Sequence, residues 1–167
     1  MGTPRRVRAV SWGLGVCLLA MGCSSEGARA PNPTKPIDER RAVEVIARAL
    51  RDGRLDPAAG RDERLGGKTI HLDVGVQGKL FGVAYITADE AQQLGDAIPT
   101  PNHKDEKLKL VPVGERGKAY VLLLFQQNYL YDDLAGAAHT QTMITAEGAL
   151  ARDVRDFVSY AKSKGFE

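Results

Sequence analysis

The first 22 residues of this chain are set apart from the rest by an uncharged apolar run behind a basic head. Arg5, Arg6 and Arg8 precede Ala9–Gly22, a run of fourteen residues without a charged side chain. A helix that crosses a bilayer needs about 20 apolar residues, so this run is too short to remain as a span. A basic head, a short apolar core and small residues at its end are typical of a secretory signal peptide. We therefore predict that residues 1–22 are cleaved and take no part in the fold.

The end of this leader carries a short motif, Ala20-Met21-Gly22-Cys23. It resembles the lipobox of bacterial lipoproteins, in which a small residue precedes a cysteine that receives diacylglycerol. It departs from that pattern because Leu19 stands one position early and Met21 is bulky. The resemblance implies a lipid anchor on Cys23 and, with Ser24 behind it, sorting to the outer membrane. The small residues of the motif also fit ordinary signal cleavage, which would leave Cys23 free and the protein soluble in the periplasm or secreted.

Removal of the leader changes the charge balance of the chain. It has 23 Lys and Arg against 21 Asp and Glu, and three of the basic residues but none of the acidic ones lie in the leader. The remainder is close to neutral and lacks the broad basic surface of nucleic-acid-binding proteins. Both cysteines, Cys17 and Cys23, lie in or beside the leader, so the folded part has no disulfide and no thiol nucleophile. No phosphate-binding glycine loop or Gly-x-Ser-x-Gly elbow is present, and we predict neither a nucleic-acid partner nor a cofactor.

The mature chain is predicted to consist of a tether, residues 23–36, and one α+β domain, residues 37–167. The tether contains Pro31, Pro33 and Pro36 among small polar residues, a composition that resists helix and sheet. Its thirteen residues after the cysteine would reach roughly 40 Å if fully extended. It would therefore hold the domain clear of the membrane surface.

The elements of the domain are predicted from apolar periodicity and capping residues. Helices are expected from the N-cap Asp38 to just before Gly53, from the capping box Thr87–Glu90 to about Leu94, and from Thr145 to about Lys164. Strands are expected over residues 69–76, 80–86, 107–110 with Pro112 at a sheet edge, 120–125 and 140–144, and loops over 52–67 and 99–106. The order α-ββ-α-ββ(β)-α predicts one antiparallel sheet of four or five strands with helices packed against it. This order resembles that of roadblock and profilin-like domains, which implies binding of a partner or peptide.

One pair of residues suggests catalysis. His71 and Asp73 are two positions apart on a predicted strand, so both side chains leave the same face. An aspartate beside a histidine orients many general bases, and His139 is a further candidate for such a site. With His103 the chain has three histidines, but none has the spacing of a zinc motif, so no metal is predicted. The alternative interpretation is a solvated sheet face with an ordinary polar pair.

A second cluster follows the most hydrophobic predicted strand. Tyr129, Tyr131 and Asp132 are candidate binding residues, because amphipathic aromatic side chains often line recognition surfaces. Asn128, Asp132 and Asp133 would offer oxygen ligands for Ca²⁺, but they lack the EF-hand spacing. A polar strand end with half-buried tyrosines explains the same residues.

Three functional hypotheses remain open from the sequence. The first is a non-catalytic envelope lipoprotein, held to the membrane by its lipid, whose domain binds a protein, a peptide or an envelope polymer. The second is a small exported hydrolase or toxin-like effector that uses His71 and Asp73, with His139. The third is a ligand-sensing domain with a pocket beneath the predicted loop over residues 52–67.

Overall fold

The computed structural model describes residues 32–101, 108–114, 117–133 and 141–166. Within these ranges the chain forms three helices and nine strands, with short 3-10 turns at Gly95–Ala97 and Gln126–Asn128. In chain order the elements are β1 (Lys35–Pro36), α1 (Glu39–Asp52), β2 (Pro57–Ala58), β3 (Arg61–Leu65), β4 (Lys68–Leu72), β5 (Val74–Val76), β6 (Phe81–Ile86), α2 (Ala88–Leu94), β7 (Lys109–Val113), β8 (Ala119–Phe125), β9 (Leu130–Tyr131) and α3 (Met143–Lys164).

The main sheet has five strands in the order β2-β5-β6-β8-β7, which confirms the α+β class. The prediction of a purely antiparallel sheet is wrong, because β6 and β8 pair in parallel, with Ile86 opposite Phe125. The reason lies in the connection between them. After β6 the chain passes through α2 and β7 before β8 returns beside β6 in the same direction. The other pairs of the main sheet, β2–β5, β5–β6 and β7–β8, are antiparallel.

Alternate side chains of the central strands pack into two separate cores, one on each side of the main sheet. On β8, Leu122 and Leu124 belong to the core under α1 and α3, whereas Val121 and Leu123 belong to the core under α2 and the β3–β4 hairpin. We call these the helix side and the hairpin side of the sheet. The period-2 alternation explains why β6 and β8 are apolar at nearly every position.

The helix side is built from two helices that run in the same direction. Phe157 of α3 meets Phe81 of β6 edge to face, with 5.5 Å between ring centroids. Near the start of both helices, Arg41 of α1 holds Glu147 of α3 through two hydrogen bonds of 2.7 and 3.0 Å. Near their ends, Lys162 donates a hydrogen bond to the backbone oxygen of Gly53.

The hairpin side corrects two predictions. The segment 52–67, predicted to be a loop, contains β2 and β3, and β3 pairs with β4 in a separate two-stranded sheet. The predicted strand 69–76 is two strands, because the chain leaves the hairpin at Asp73 and enters the main sheet as β5. The charged residues of β3 conceal this strand in the sequence. Its exposed and partly buried positions nevertheless alternate up to the buried Leu65.

Two glycines allow the hairpin to pack close to the main sheet. Gly75 of β5 and Gly82 of β6 are register partners. A Cβ on Gly82 would lie 2.8 Å from Leu72 of the hairpin and 2.9 Å from the backbone oxygen of Val74. A Cβ on Gly75 would lie 2.9 Å from the guanidinium of Arg61. The missing side chains therefore make the space that β3 and β4 occupy.

Capping residues set the helix boundaries largely as predicted. Asp38 caps α1, and Thr87 and Glu90 form the predicted capping box of α2. The fifth strand predicted over residues 140–144 is wrong in its described part, because Thr142 caps α3, which already begins at Met143. A hydroxyl acceptor at that position favours a helix start over a strand. None of the helices in the described ranges is both long enough and apolar enough to cross a bilayer.

Candidate functional site

His71 lies on the exposed face of the hairpin, and its partner is not the one predicted. Its Nδ1 is 2.7 Å from Oδ1 of Asp62, which is its register partner on β3. The hydrogen bond with Asp62 raises the pKa of His71 above its usual value, against the opposing effect of partial burial, and the charge of Asp73 contributes less. The pair of His71 and Asp62 could not be predicted from the sequence, because Asp62 lies in the charged segment 52–67, whose composition predicts a loop.

Asp73 has a structural role at the point where the hairpin meets the main sheet. Its Oδ2 accepts a hydrogen bond of 2.6 Å from the backbone N–H of Tyr85 on β6. Residues 74 and 75 of β5 pair with residues 83 and 82 of β6, so this side chain satisfies a backbone group just past the last paired position. Burial raises the pKa of Asp73, and the hydrogen bond from Tyr85 opposes that shift.

A polar groove of about 340 Å³ lies between the hairpin and α2, beside His71. Its charged side chains are already engaged. Lys68 donates to the backbone oxygens of Gln93 and Leu94 at the end of α2, and Glu90 accepts hydrogen bonds from Thr87 in the capping box. Among the described residues, the groove brings His71 together with Asp62, Lys68 and Glu90. His139, the third catalytic candidate, and His103 lie outside the described residues.

The predicted binding residues Tyr129, Tyr131 and Asp132 are all buried in this structure. The hydroxyl of Tyr129 donates a 2.8 Å hydrogen bond to Asp153 of α3, and burial raises the pKa of this tyrosine. Tyr131 pairs with Lys35 of β1, whose ammonium also lies over its ring. The Tyr129 side chain thus contacts α3, Tyr131 contacts the first strand, and a role of either ring in binding remains a prediction.

The proposed oxygen ligands of the same region do not gather around one point in the described residues. Asp133 pairs with Lys35 on the surface, and the backbone N–H of Asp132 donates to Gln141. Across the described ranges, no group of three or more histidine, cysteine, aspartate or glutamate side chains is placed to hold a metal ion.

An apolar groove runs between α3 and the edge strand β7. We call it the α3–β7 groove, and its volume is about 630 Å³. The described residues that line it are Pro99, Leu108, Lys109, Leu110, Phe157 and Tyr160. Tyr160 is 42% exposed, which makes it one of the largest exposed apolar side chains of the described chain.

Three aromatic side chains continue this surface toward the end of α3. Tyr120 stacks on Phe166 with 4.6 Å between ring centroids, and Phe166 meets Tyr160 edge to face at 5.9 Å. The ammonium of Lys164 lies 5.8 Å from the centroid of Tyr160. Tyr160 belongs to both the groove and this cluster, so the two form one continuous surface.

The domain has two distinct ends, and its first described strand, β1, lies at one of them. Pro36 pairs with Leu130, and Ile37 donates a backbone hydrogen bond to Tyr129, all just beyond the end of β8. The aromatic cluster lies at the opposite end, where β8 begins and α3 stops. α3 has 22 residues, is therefore about 33 Å long, and stops at the second of these two ends. We call them the tether end and the distal end.

A small crevice lies at the tether end, where the parallel strands β6 and β8 stop. Its volume is about 190 Å³. Among the residues that line it are Pro36, Ile86, Ala91, Phe125, Gln127 and Leu130.

Comparison with known proteins gives no family for the chain. No family model matches it, and no curated protein or solved structure is similar to it. The resemblance in element order to roadblock and profilin-like domains therefore has no solved structure to support it.

Proposed function

We propose that the protein is a lipid-anchored component of a bacterial cell envelope whose folded domain binds another envelope protein without catalysing a reaction. The leader and Cys23 support the anchor, and the tether in front of the domain supports a position away from the membrane surface. The observation that carries the binding role is the apolar α3–β7 groove with its aromatic cluster at the distal end.

The dimensions of the two layers account for this groove. Five strands about 4.8 Å apart make a sheet about 24 Å wide, whereas two helices about 10 Å in diameter cover about 20 Å of it. Since α1 contacts β2, β5 and β6, the uncovered part of the sheet lies at the opposite edge, where Leu110 of β7 and the preceding Leu108 are only partly buried against the helix-side core. An apolar segment of a partner, such as one face of a helix, would complete the cover.

A protein segment fits this surface better than an envelope polymer does. The described lining of the groove is apolar apart from Lys109, whereas a glycan or an anionic polymer would need several polar groups to replace its hydration. Tyrosine and phenylalanine are also enriched in the centres of protein interfaces. Lys164, whose ammonium lies beside Tyr160, favours an acidic residue next to the apolar ones of the partner.

The hydrolase hypothesis receives little support from the geometry. Asp73 is engaged by the backbone of Tyr85, and the histidine pairs with Asp62 on an exposed hairpin. The ligand-sensing hypothesis placed a pocket beneath a loop over residues 52–67, but that segment forms strands and its Leu65 belongs to the hairpin-side core.

The anchor is tested by mass spectrometry of the protein purified from membranes of its native host. The expected mature chain begins at Cys23 and carries the added mass of a diacylglycerol. A Cys23→Ser variant is expected to lose that mass and to leave the membrane fraction. A wild-type chain that begins at Met1, or one that begins at Cys23 without lipid, would refute the anchor.

The binding role is tested with paired surface variants in the native host. Tyr160→Glu places a charge in the groove, and Ile144→Glu places the same charge on an 83% exposed side chain at the other end of α3. Proteins crosslinked to the wild type are identified, and one partner is expected to disappear with Tyr160→Glu and to persist with Ile144→Glu. Reconstitution from the two purified proteins must then reproduce this difference. A partner lost equally from both variants, or from neither, would contradict the assignment of the groove.

A further inference from the structure

We propose that the crevice at the tether end is a binding site for a small, uncharged, mainly apolar group, separate from the α3–β7 groove. It lies between the last residues of β6 and β8, and its lining includes Ile86, Ala91, Phe125 and Leu130. The proposal goes beyond the binding of an envelope partner and does not depend on the lipid anchor.

The topology of the sheet creates this crevice. Ile86 and Phe125 are register partners at the carboxyl ends of two parallel strands. From Ile86 the chain turns into α2, which packs on the hairpin side through Leu94, whereas from Phe125 it turns toward Tyr129 on the helix side. Two neighbouring parallel strands whose connections leave to opposite faces open a gap between those connections. Ligands of open α/β sheets bind at this kind of switch point.

The lining of the crevice determines the class of ligand. None of the described residues that line it carries a charged side chain, and most of them are aliphatic or aromatic. An ionic ligand would lose its hydration there without gaining a counter-charge from the lining. The hydroxyl of Thr87 is already occupied, since it donates to Glu90 and accepts from the Glu90 backbone. The exposed amide of Gln127 remains at the rim as a polar group that could meet a ligand carbonyl or amide.

The size of the crevice limits the ligand further. At about 190 Å³ it is too small for a drug-sized molecule, because such sites have roughly 300 to 1,000 Å³. It is close to the roughly 150 Å³ of an apolar protein cavity that takes up benzene. A single aromatic ring or branched aliphatic group fits, either as a free molecule or as one side chain of a peptide. These two sources share the same chemistry and are separated by the probes below.

The test uses residues 24–167, which include both cores and form one compact unit from residue 32 onward. Methyl NMR spectra are recorded during titration with toluene, with N-acetyl-leucine-N-methylamide, and with 4-methylbenzoate as the charged counterpart of toluene. Saturable shifts are expected at the methyls of Ile86, Ala88, Ala91 and Leu130, with a dissociation constant on the order of 1 mM for toluene. The benzoate is expected to bind at least about tenfold more weakly. Methyls of Val45 and Val154 in the helix-side core serve as internal references.

Two blocking variants and one control complete the experiment. Ala91→Leu fills the crevice from the partly buried side of α2. Ala88→Phe fills it from an exposed position, so this variant should leave the core intact and can be used if Ala91→Leu fails to fold. Ala59→Phe adds the same bulk at an exposed site that does not line the crevice.

Loss of the shifts in the blocking variants but not in Ala59→Phe supports the site. Tighter binding of the leucine amide than of toluene assigns it to a peptide side chain, and the reverse assigns it to a free molecule. Shifts that never saturate, that avoid the crevice methyls, or that survive Ala88→Phe would overturn the proposal.

Discussion

The two sides of the main sheet are held together by different means. On the helix side, large side chains fill the space between sheet and helices, as Phe157 and Phe81 do, and buried hydroxyls find partners, as Tyr85 does on the backbone oxygen of Ile37. On the hairpin side, the absence of side chains at Gly75 and Gly82 lets a second sheet approach, and Asp73 satisfies the backbone at the junction. The packing of the helix side depends on the volume of large buried side chains, and the packing of the hairpin side depends on the close approach of two backbones.

The largest expected effect tests the helix side of this comparison. Phe157→Ala should lower the free energy of unfolding by about 3–5 kcal/mol, because it removes a fully buried ring and leaves a cavity against Phe81. Denaturant unfolding of the domain measures this loss. Tyr160→Ala, one turn further on the exposed side of the same helix, is the control and should cost much less. Equal losses would mean that the helix side does not depend on this contact.

The next effect tests the hairpin side with a matched pair of glycines. Gly82→Ala should destabilise the domain by about 1–3 kcal/mol, since the new Cβ would lie 2.9 Å from the backbone oxygen of Val74, which cannot move as a flexible side chain can. Gly148→Ala adds the same methyl to α3, where no atom lies within 4 Å, and should be neutral or stabilise by up to about 1 kcal/mol. Thermal unfolding of the two variants compares the cost of a methyl group at a position of close backbone approach with its effect in an open helix position. A Gly82→Ala domain as stable as the wild type would refute the role assigned to this glycine.

The junction between the two regions should show a smaller and chemically specific effect. Asp73→Ala leaves the N–H of Tyr85 without its acceptor and should cost about 1–2 kcal/mol, whereas Asp73→Asn keeps an oxygen there and should cost less. Unfolding free energies of the wild type and both variants at neutral pH measure this order. If Asp73→Asn costs as much as Asp73→Ala, the hydrogen bond is not the reason for the aspartate.

The pH dependence of Asp73 gives an independent check. Its pKa is raised in the folded state, so the folded protein holds this proton to a higher pH than the unfolded chain does. The stability that this group contributes is present below its unfolded pKa and is lost as pH rises through the folded pKa. The amide introduced by Asp73→Asn does not titrate, and the advantage of the wild type over this variant should therefore shrink as pH rises from about 3 to 7. A growing advantage over that range would contradict the assigned cause.

The helix side was largely predictable from the sequence, and the hairpin side was not. Leu150, Val154 and Phe157 repeat with the period of a helix, and Asp38 marks the start of α1, so local pattern and capping chemistry agree there. The hairpin strand β3 reads Arg-Asp-Glu-Arg-Leu, and its strand character comes from pairing with β4 rather than from its own apolar residues. Tertiary pairing overrides propensity in such a segment.

The parallel pairing and the candidate sites could not be predicted from the sequence, and the reason is the same for both. Nothing local in β6 or β8 records that the two strands are neighbours, and the crevice between their ends exists only because of that pairing. The α3–β7 groove likewise depends on which strand the helices leave uncovered. His71 lies on a strand as predicted, whereas Asp73 lies between β4 and β5. Their partners, Asp62 and the backbone of Tyr85, lie nine and twelve residues away in the sequence.

The smallest expected effect tests whether Asp62 or Asp73 is the main partner of His71. The hydrogen bond with Asp62 is the main reason for the raised pKa of His71, and the charge of Asp73 is a lesser one. Asp62→Asn should therefore lower the pKa of His71 in an NMR titration by more than Asp73→Asn does. Because both partners of the pair are largely exposed to solvent, the pair should stabilise the fold by no more than a few tenths of a kcal/mol. That contribution is present below the unfolded pKa of histidine and disappears as pH rises through the folded one. A larger response to Asp73→Asn would instead make Asp73 the principal partner of His71 and restore the pairing that the strand pattern suggested.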